Sequence, residues 1–287
     1  MKHGEARALR DDESGGDGSR FSCIMHKRRK MCSMKAIIPA AGKGDRLRPI
    51  TLAIPKEMIR VGTKPVIEHA ISVLKAGGIR DILVIVGWKK GALLDYLGSG
   101  KRMGVNIYYK VQEELKGLGH AVYQGKDWVG EEDFTVIYGD NYLKPYGCIK
   151  KFLKFHRTKD SDATVVLHPV NDPERFGIVK FDKESKRVLG MIEKPTIKEA
   201  EKYKTNGTYY NIAGLLILKP IIFDYIEKTK PGRNNEIQIT DSIELMRRDN
   251  LSVYAYPFYG TRYDVGTFES LERADELEQK ERTKQSF

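Results

Sequence analysis

The sequence predicts an α/β fold in which a mixed, mostly parallel central sheet is flanked by helices. Strand-like and helix-like segments alternate through the first half of the chain, and such alternation implies crossover connections and parallel pairing. The predicted strands are short apolar runs, such as 82–86, which is typical of strands covered on both faces. The second half is richer in strands than in helices, so we expect a smaller β-rich part there.

The first half supplies the alternating elements. Pro65 suits the first turn of a helix, and Gly77 and Gly78 suit its end. The predicted strands lie at 36–39, 81–86, 106–111 and 134–138, and the predicted helices at 65–76, 89–97 and 118–128.

The second half contains one clear hairpin. The segments 177–181 and 188–192 flank a polar turn, which is typical of two antiparallel strands. Further strands are predicted at 163–168, 209–218 and 252–256, and helices at 221–227, 240–247 and 267–284.

Residues 1–33 differ in composition from the rest. The segment 11–19 is acidic, rich in glycine and without apolar side chains, so we expect a disordered N-terminal extension. The remaining residues, 34–287, are expected to form a single domain. Cys23, Cys32 and Cys148 have neither redox-motif nor zinc-site spacing, which predicts reduced thiols in a cytoplasmic protein.

The net charge of +11 favours anionic partners. Lys and Arg are spread along the chain without a basic, aromatic-studded stripe, which favours phosphorylated small molecules over nucleic acid. No apolar run approaches the roughly 20 residues that span a bilayer, and the charged start does not resemble a secretory signal. No membrane partner is therefore expected.

A glycine-rich loop at 40–48 follows the first predicted strand, at the carboxyl end where open α/β sheets bind ligands. Glycines there let backbone N–H groups approach phosphate oxygens. The loop is not a dinucleotide fingerprint, because Leu47 stands where Gly or Ala is needed. It is not a Walker loop either, because Gly44 follows Lys43.

Three cations accompany this loop: Arg46, Arg48 and, further along, Lys56. Together with free N–H groups they suit a triphosphate. On its own the loop is also compatible with a tight turn that carries surface charge.

Two aspartates and one Glu-Lys pair are further candidates. Asp140 and Asp264 follow predicted strand ends, and hard carboxylates that face one cleft are good Mg²⁺ ligands. Glu193 can bind sugar hydroxyls, and Lys194 can bind a phosphate as a point charge. Taken singly, a strand-end Asp is more often a cap, and a Glu-Lys pair more often an exposed ion pair.

Six motifs in order make residues 34 to about 274 resemble the sugar-1-phosphate nucleotidylyltransferases. They are the loop with Pro-Lys-Glu-Met at 55–58, Gly-Leu-Gly-His-Ala at 117–121, Gly-Asp-Asn at 139–141, Glu-Lys-Pro at 193–195, Glu-Ile-Gln-Ile-Thr-Asp at 236–241, and Tyr-Asp-Val-Gly at 263–266. The resemblance implies a Rossmann-like nucleotide-diphospho-sugar transferase fold. It implies a nucleotide-binding half at 34–145, and a sugar-phosphate-binding half with a C-terminal helix at 146–287.

The resemblance also implies roles for matching residues. The catalytic residues would be Arg46, Lys56, Asp140 and Lys194. Mg²⁺ would be held by Asp140 and Asp264. The nucleotide would be bound by Ala40, Ala41, Gly42, Gly44, Gln112 and Gly117, with Gln112 and Gly117 at the base. The sugar phosphate would be bound by Gly177, Glu193 and Lys194.

The nucleotide stays open between UTP and dTTP. Gly-Leu-Gly-His-Ala and Pro-Lys-Glu-Met resemble UTP–glucose-1-phosphate uridylyltransferases, which we favour, whereas Gly-Asp-Asn and the stretch 171–179 resemble the thymidylyltransferases. A non-catalytic sugar-nucleotide sensor or regulatory subunit is the alternative of another class. Such a protein would be expected to lose residues such as Asp140 or Lys194, which are present. The family implies a homo-oligomer, a dimer or tetramer.

One residue departs from the family pattern. Asp45 stands where the family has Thr or Ser. A carboxylate beside a triphosphate is repulsive unless it turns outward or meets a cation. The phosphate hydrogen bond that a Thr or Ser hydroxyl would donate at this position is therefore not expected from Asp45.

Overall fold

A nine-stranded mixed sheet organises residues 34–232 and 235–285, which are the residues that the computed structural model describes. The predicted extension at 1–33, with Cys23 and Cys32, lies outside them. The strands are β1 (Lys35–Ala40), β2 (Arg60–Val61), β3 (Lys64–Pro65), β4 (Asp81–Val86), β5 (Asn106–Val111), β6 (Phe134–Ile137), β7 (Asn141–Lys144), β8 (Ala163–Val170), β9 (Gly177–Phe181), β10 (Val188–Glu193), β11 (Tyr209–Leu218), β12 (Val253–Pro257) and β13 (Thr261–Asp264).

Helices connect these strands. They are α1 (Ile50–Ala53), α2 (Val66–Ala76), α3 (Lys90–Leu97), α4 (Leu118–Tyr123), α5 (Lys126–Val129), α6 (Ile149–Lys159), α7 (Ile197–Ala200), α8 (Ile222–Lys228), α9 (Ile239–Arg248) and α10 (Phe268–Gln285). Among the described residues, none of these helices combines the length and the apolar character needed to cross a bilayer.

The sheet changes direction where the two halves of the chain meet. Strands β6, β1, β4 and β5 are parallel neighbours in that order. β11 then joins the edge of β6 in the antiparallel direction and also pairs with β8 and β9. The predicted mixed sheet flanked by helices is confirmed.

Helices cover both faces because side chains alternate along each strand. Ile38 of β1 packs with Ile71 of α2 and Phe152 of α6 on one face. Ile37, its neighbour, packs with Val122 of α4 and other apolar residues on the opposite face. Each such fully buried side chain contributes about 1.5–3 kcal/mol.

Most predicted elements are present, including the hairpin of β9 and β10, in which Gly177 pairs with Glu193. The single helix predicted at 118–128 is wrong, because α4 ends at Tyr123 and α5 begins at Lys126. Gly125 lies between them, and a Cβ atom there would lie 2.4 Å from Ile37 Cδ1. The chain therefore turns where close packing against β1 requires glycine.

Strands β7 and β13 form a separate two-stranded sheet that the sequence does not predict. They are antiparallel, and Asp264 pairs with Asn141. The backbone N–H of Val265 donates to the Asp140 carbonyl oxygen at 3.0 Å. This small sheet therefore brings the ends of two distant segments together.

Candidate active site

A cleft of about 530 Å³ lies at the carboxyl ends of β1 and β6, within the size range of small-molecule sites. Residues from both halves of the chain line it. The predicted site residues on its wall are Ala41, Gly42, Arg46, Lys56, Gln112, Gly117, Asp140, Glu193 and Lys194. A smaller adjoining cavity of about 150 Å³ also contacts Gly177 and Asp264.

The backbone of the glycine-rich loop is shaped by its two glycines. Gly44 has a φ of 68°, and a Cβ atom there would lie 2.9 Å from Thr51 Cγ2. The Thr51 hydroxyl also donates to the Gly44 carbonyl oxygen at 2.9 Å. At Gly42 the nearest atom to an added Cβ would be Lys56 Cε, at 3.8 Å. This part of the backbone is therefore open toward the Lys56 side chain.

The side chain of Ala40 packs in the core, so only its backbone is available to a ligand. Asp45, the departure from the family pattern, forms an ion pair with Arg48 at 2.5 Å. Both side chains of this pair are more than half exposed. The Asp45 carboxylate thus meets a cation, which is the condition under which it can lie beside a phosphate site.

Lys56 and Asp140 form the central ion pair of the cleft, with Nζ and Oδ2 2.5 Å apart. Burial lowers the pKa of Lys56, but Asp140, Glu57 and Asp264 outweigh this effect and raise it. Burial raises the pKa of Asp140, but Lys56 outweighs this effect and lowers it. Both groups are therefore charged at neutral pH.

Asp264 completes what we call the strand-end cluster: Lys56, Asp140 and Asp264. Burial raises the pKa of Asp264, and the Asp140 carboxylate raises it further. Because two nearby carboxylates repel each other when both are ionised, a cation bound beside them would be favoured. Among the described residues no group of three or more metal-ligating side chains is found, so a metal at this pair would need ligands from a substrate or water.

Gln112 and Gly117 lie together at another wall of the cleft. The Gln112 side chain is buried, and its Nε2 donates to the Gly117 carbonyl oxygen at 3.2 Å and lies 2.9 Å from His120 Nδ1. A Cβ atom on Gly117 would lie 2.7 Å from Glu236 Cβ. The amide of Gln112 is therefore held in place before any ligand binds.

The Glu193 carboxylate is fixed by its neighbours. The Thr240 hydroxyl donates to Glu193 Oε2 at 2.7 Å, and a Cβ atom on Gly177 would lie 2.6 Å from the same oxygen. Burial raises the pKa of Glu193, although Thr240 opposes this. Lys194 has a φ of 43°, and its backbone N–H donates to the Phe176 carbonyl oxygen at 3.0 Å.

Sequence reasoning assigns no role to Glu57 or Arg262, which the structure places at these cavities. Glu57 is buried, its Oε2 has no hydrogen-bond partner among the described residues, and burial raises its pKa to about 7. Glu57 lies directly after Lys56 inside the Pro-Lys-Glu-Met motif, and this position was a signal by which sequence reasoning could have found it. Arg262 lies two residues before Asp264 on β13, so strand alternation places both side chains on one face.

Comparisons with known proteins identify the family to which the chain is similar. The family model described as nucleotidyl transferase matches residues 35–281. A UTP–glucose-1-phosphate uridylyltransferase of Staphylococcus haemolyticus is 38% identical over 81% of this chain and 87% of the relative. A protein of the same name from Staphylococcus epidermidis is 37% identical with the same coverage.

Two solved structures are similar in fold. A UDP-glucose pyrophosphorylase complexed with UDP-glucose has a TM-score of 0.78 and 30% identity, over 86% of this chain and 99% of that one. A putative glucose-1-phosphate thymidylyltransferase from Bacillus anthracis, in complex with a sucrose, has a TM-score of 0.75 and 33% identity, over 85% and 95% of the two chains.

Proposed function

The chain belongs to the nucleotidyl transferase family, and we propose that it joins UTP to glucose 1-phosphate, forming UDP-glucose and pyrophosphate. The observation that carries this proposal is the one cleft in which Arg46, Lys56 and Asp140 of the first half meet Glu193 and Lys194 of the second. The names of the staphylococcal relatives support this nucleotide and this sugar phosphate.

The reaction needs no strong general base. The attacking oxygen belongs to a phosphate that is already ionised at neutral pH, and it displaces pyrophosphate from the α-phosphorus in line. The difficulty is to bring two polyanions together, so positioning and cationic groups carry the catalysis. Arg46 steadies the leaving pyrophosphate, Lys56 contacts the transferring phosphate, and Lys194 holds the nucleophile.

The nucleotide lies against the glycine-rich loop. Backbone groups of Ala40, Ala41, Gly42 and Gly44 approach it, and the preset amide of Gln112 with the backbone of Gly117 recognises the base. The open backbone at Gly42, next to the Lys56 ammonium, supports this placement.

The donor set at Asp140 and Asp264 fits Mg²⁺. The two carboxylates raise each other's affinity for a cation, and Mg²⁺ is commonly bound by one or two carboxylates with substrate phosphates and waters. When bound there, Mg²⁺ would supply charge neutralisation at the α-phosphate. Lys56 contacts Asp140 in the free protein, so its ammonium group can also contribute positive charge at the α-phosphate.

Pyrophosphate release from glucose 1-phosphate, measured with each nucleoside triphosphate in turn, tests this function. We expect turnover to be highest with UTP and to stop when EDTA removes Mg²⁺. Highest turnover with dTTP would assign the chain to the thymidylyltransferases, to which one similar structure is related by name. No turnover with any nucleotide, together with tight binding of UDP-glucose, would favour the sensor.

The family also leads us to propose a dimer or tetramer that works in the cytoplasm without nucleic acid. Mass photometry of the purified protein tests the oligomer. A monomer at micromolar concentration would contradict it.

A further inference from the structure

Arg262 is a cation in the wall of the smaller cavity. The proposed reaction, as described above, gives this residue no role. It lies on β13, and this cavity of about 150 Å³ is lined by Arg262 together with Gly177, Glu193, Asp140 and Asp264. Gly177 and Glu193 are two of the residues expected to bind the sugar phosphate. Arg262 therefore faces the place where the sugar phosphate is expected.

The residues that the structure describes accept few of the hydrogen bonds that the Arg262 guanidinium can donate. With the Asn211 amide oriented so that both of its polar atoms find partners, its oxygen accepts from Arg262 Nη1 at 3.3 Å. The Nε atom is buried and has no hydrogen-bond partner among the described residues. A guanidinium has five N–H donors, so most of its donor capacity is unused within the described part of the chain.

Charge explains why Arg262 tolerates this position. Burial lowers the pKa of Arg262, and the carboxylates of Asp264 and Asp140 act in the opposite direction. The guanidinium also lies 5.6 Å from the centre of the Phe176 ring. The charges of Asp264 and Asp140 and the Phe176 ring thus partly offset the cost of burying the Arg262 guanidinium.

The other arginines near this cavity are differently placed. Arg175 is paired with Asp172 at 3.0 Å and is 40% exposed, so its charge is largely directed to solvent. Arg46 also lines the larger cleft, where the pyrophosphate is expected. Among the described cations of the smaller cavity, Arg262 is thus the one with both an enclosed position and free donors.

We propose that Arg262 binds the phosphate group of glucose 1-phosphate and presents its attacking oxygen beside Asp140 and Asp264. This inference rests on the proposed function. Arginine can hold two phosphate oxygens at once, whereas Lys194 offers a single point charge. The two residues then fix both the position and the rotation of the nucleophile.

The test compares Arg262→Gln and Arg262→Lys with the control Arg273→Gln. Arg273 is an exposed arginine that is paired with Glu269, and it lines a neighbouring cavity that Arg262 also contacts. The measurements are the KM for glucose 1-phosphate, the KM for UTP, and the affinity for Mn²⁺ in the presence of UTP, followed by electron paramagnetic resonance. Thermal melting establishes first that each variant is folded.

We expect Arg262→Gln to raise the KM for glucose 1-phosphate about tenfold or more, while the KM for UTP and the Mn²⁺ affinity change by less than about twofold. Arg262→Lys should recover part of the loss, and Arg273→Gln should match the wild type. If Arg262→Gln does not fold, Arg262→Lys carries the test, with a smaller increase in the same KM.

An unchanged KM for glucose 1-phosphate in a folded variant would overturn the proposal. A loss of Mn²⁺ affinity in proportion to the loss of turnover would overturn it as well, since Arg262 would then act by placing Asp264. These outcomes are read only against a wild-type protein that releases pyrophosphate from UTP and glucose 1-phosphate. A wild type without that activity would instead refute the proposed function.

Discussion

The glycine-rich loop and the strand-end cluster hold charge in contrasting ways. In the loop, the side chains of Asp45 and Arg48 are 62% and 56% exposed, whereas those of Asp140 and Lys56 are 12% and 22% exposed. An exposed pair contributes about 0–1 kcal/mol, but removal of one partner from a buried pair leaves an uncompensated charge. Substitution of Asp45 or Arg48 should therefore change the free energy of unfolding little, whereas substitution of Asp140 or Lys56 should lower it.

The same contrast applies to substrate binding. Apart from the Arg46 side chain, the loop offers backbone N–H groups next to Gly44, whose φ is 68°, so the proposed backbone contacts with phosphate do not depend on the side chains of Asp45 or Arg48. The cluster offers largely buried charges near the junction of β6, β7 and β13, where the transferring phosphate is proposed to bind. Substitutions in the two regions should consequently differ in the size of their effects.

The largest effect is expected for Asp140→Asn. This change removes a proposed Mg²⁺ ligand and leaves the Lys56 ammonium without its partner. We expect kcat to fall about a thousandfold, while UTP binding in EDTA is retained. Steady-state pyrophosphate release and isothermal titration with UTP measure the two quantities.

Asp160→Asn is the matched control for Asp140→Asn. Asp160 is 91% exposed and has a φ of 45°, a conformation that Asn also adopts readily. Normal turnover of Asp140→Asn that still depends on Mg²⁺ would remove Asp140 from the metal site and end the contrast with the loop.

Glu57→Gln should give the next largest effect, on stability. Burial raises the pKa of Glu57 from 4.5 to about 7 in the folded protein, so between these values the folded state binds more protons than the unfolded state. The contribution of Glu57 to stability is thus fully present below about pH 4.5 and is lost as the pH rises through 7. At pH 8 the ionised carboxylate would cost on the order of 3 kcal/mol.

Urea unfolding of the wild type and of Glu57→Gln at pH 5 and pH 8, both without Mg²⁺, measures this effect. We expect the variant to gain free energy of unfolding relative to the wild type as the pH rises. The comparison between the two proteins removes the contributions of other titrating groups. A difference that stays constant between the two pH values would show that Glu57 keeps an ordinary pKa.

The sequence predicts the parallel half of the fold well, because its signal is local. β4 follows from an apolar run with clear ends, and the predicted bounds of both β4 and β5 match the structure. The helix α6 is absent from the predictions although Ile149, Phe152, Leu153 and His156 recur at helical spacing and are buried. That helix was within reach of the same reasoning.

The geometry of the candidate site was less accessible. The sequence motifs indicate Asp140 and Asp264, but β7 and β13 are short strands whose pairing depends on the rest of the fold. Among the residues that the structure describes, neither Glu57 Oε2 nor Arg262 Nε has a hydrogen-bond partner. This is likewise a property of packing, which no spacing in the sequence encodes. Roles for these two residues therefore came from the structure.

The smallest effect is expected for Asp45→Thr, which restores the family residue in the loop. The change removes an exposed ion pair and a carboxylate beside the proposed triphosphate site. The free energy of unfolding should change by less than about 1 kcal/mol, and the KM for UTP should fall about twofold at low salt, with less change at high salt because ions screen exposed charges. Urea unfolding and UTP kinetics at two salt concentrations measure both effects. A tenfold loss of activity would mean that Asp45 has a fixed partner in the reaction, and the loop would then resemble the strand-end cluster in its dependence on single charges.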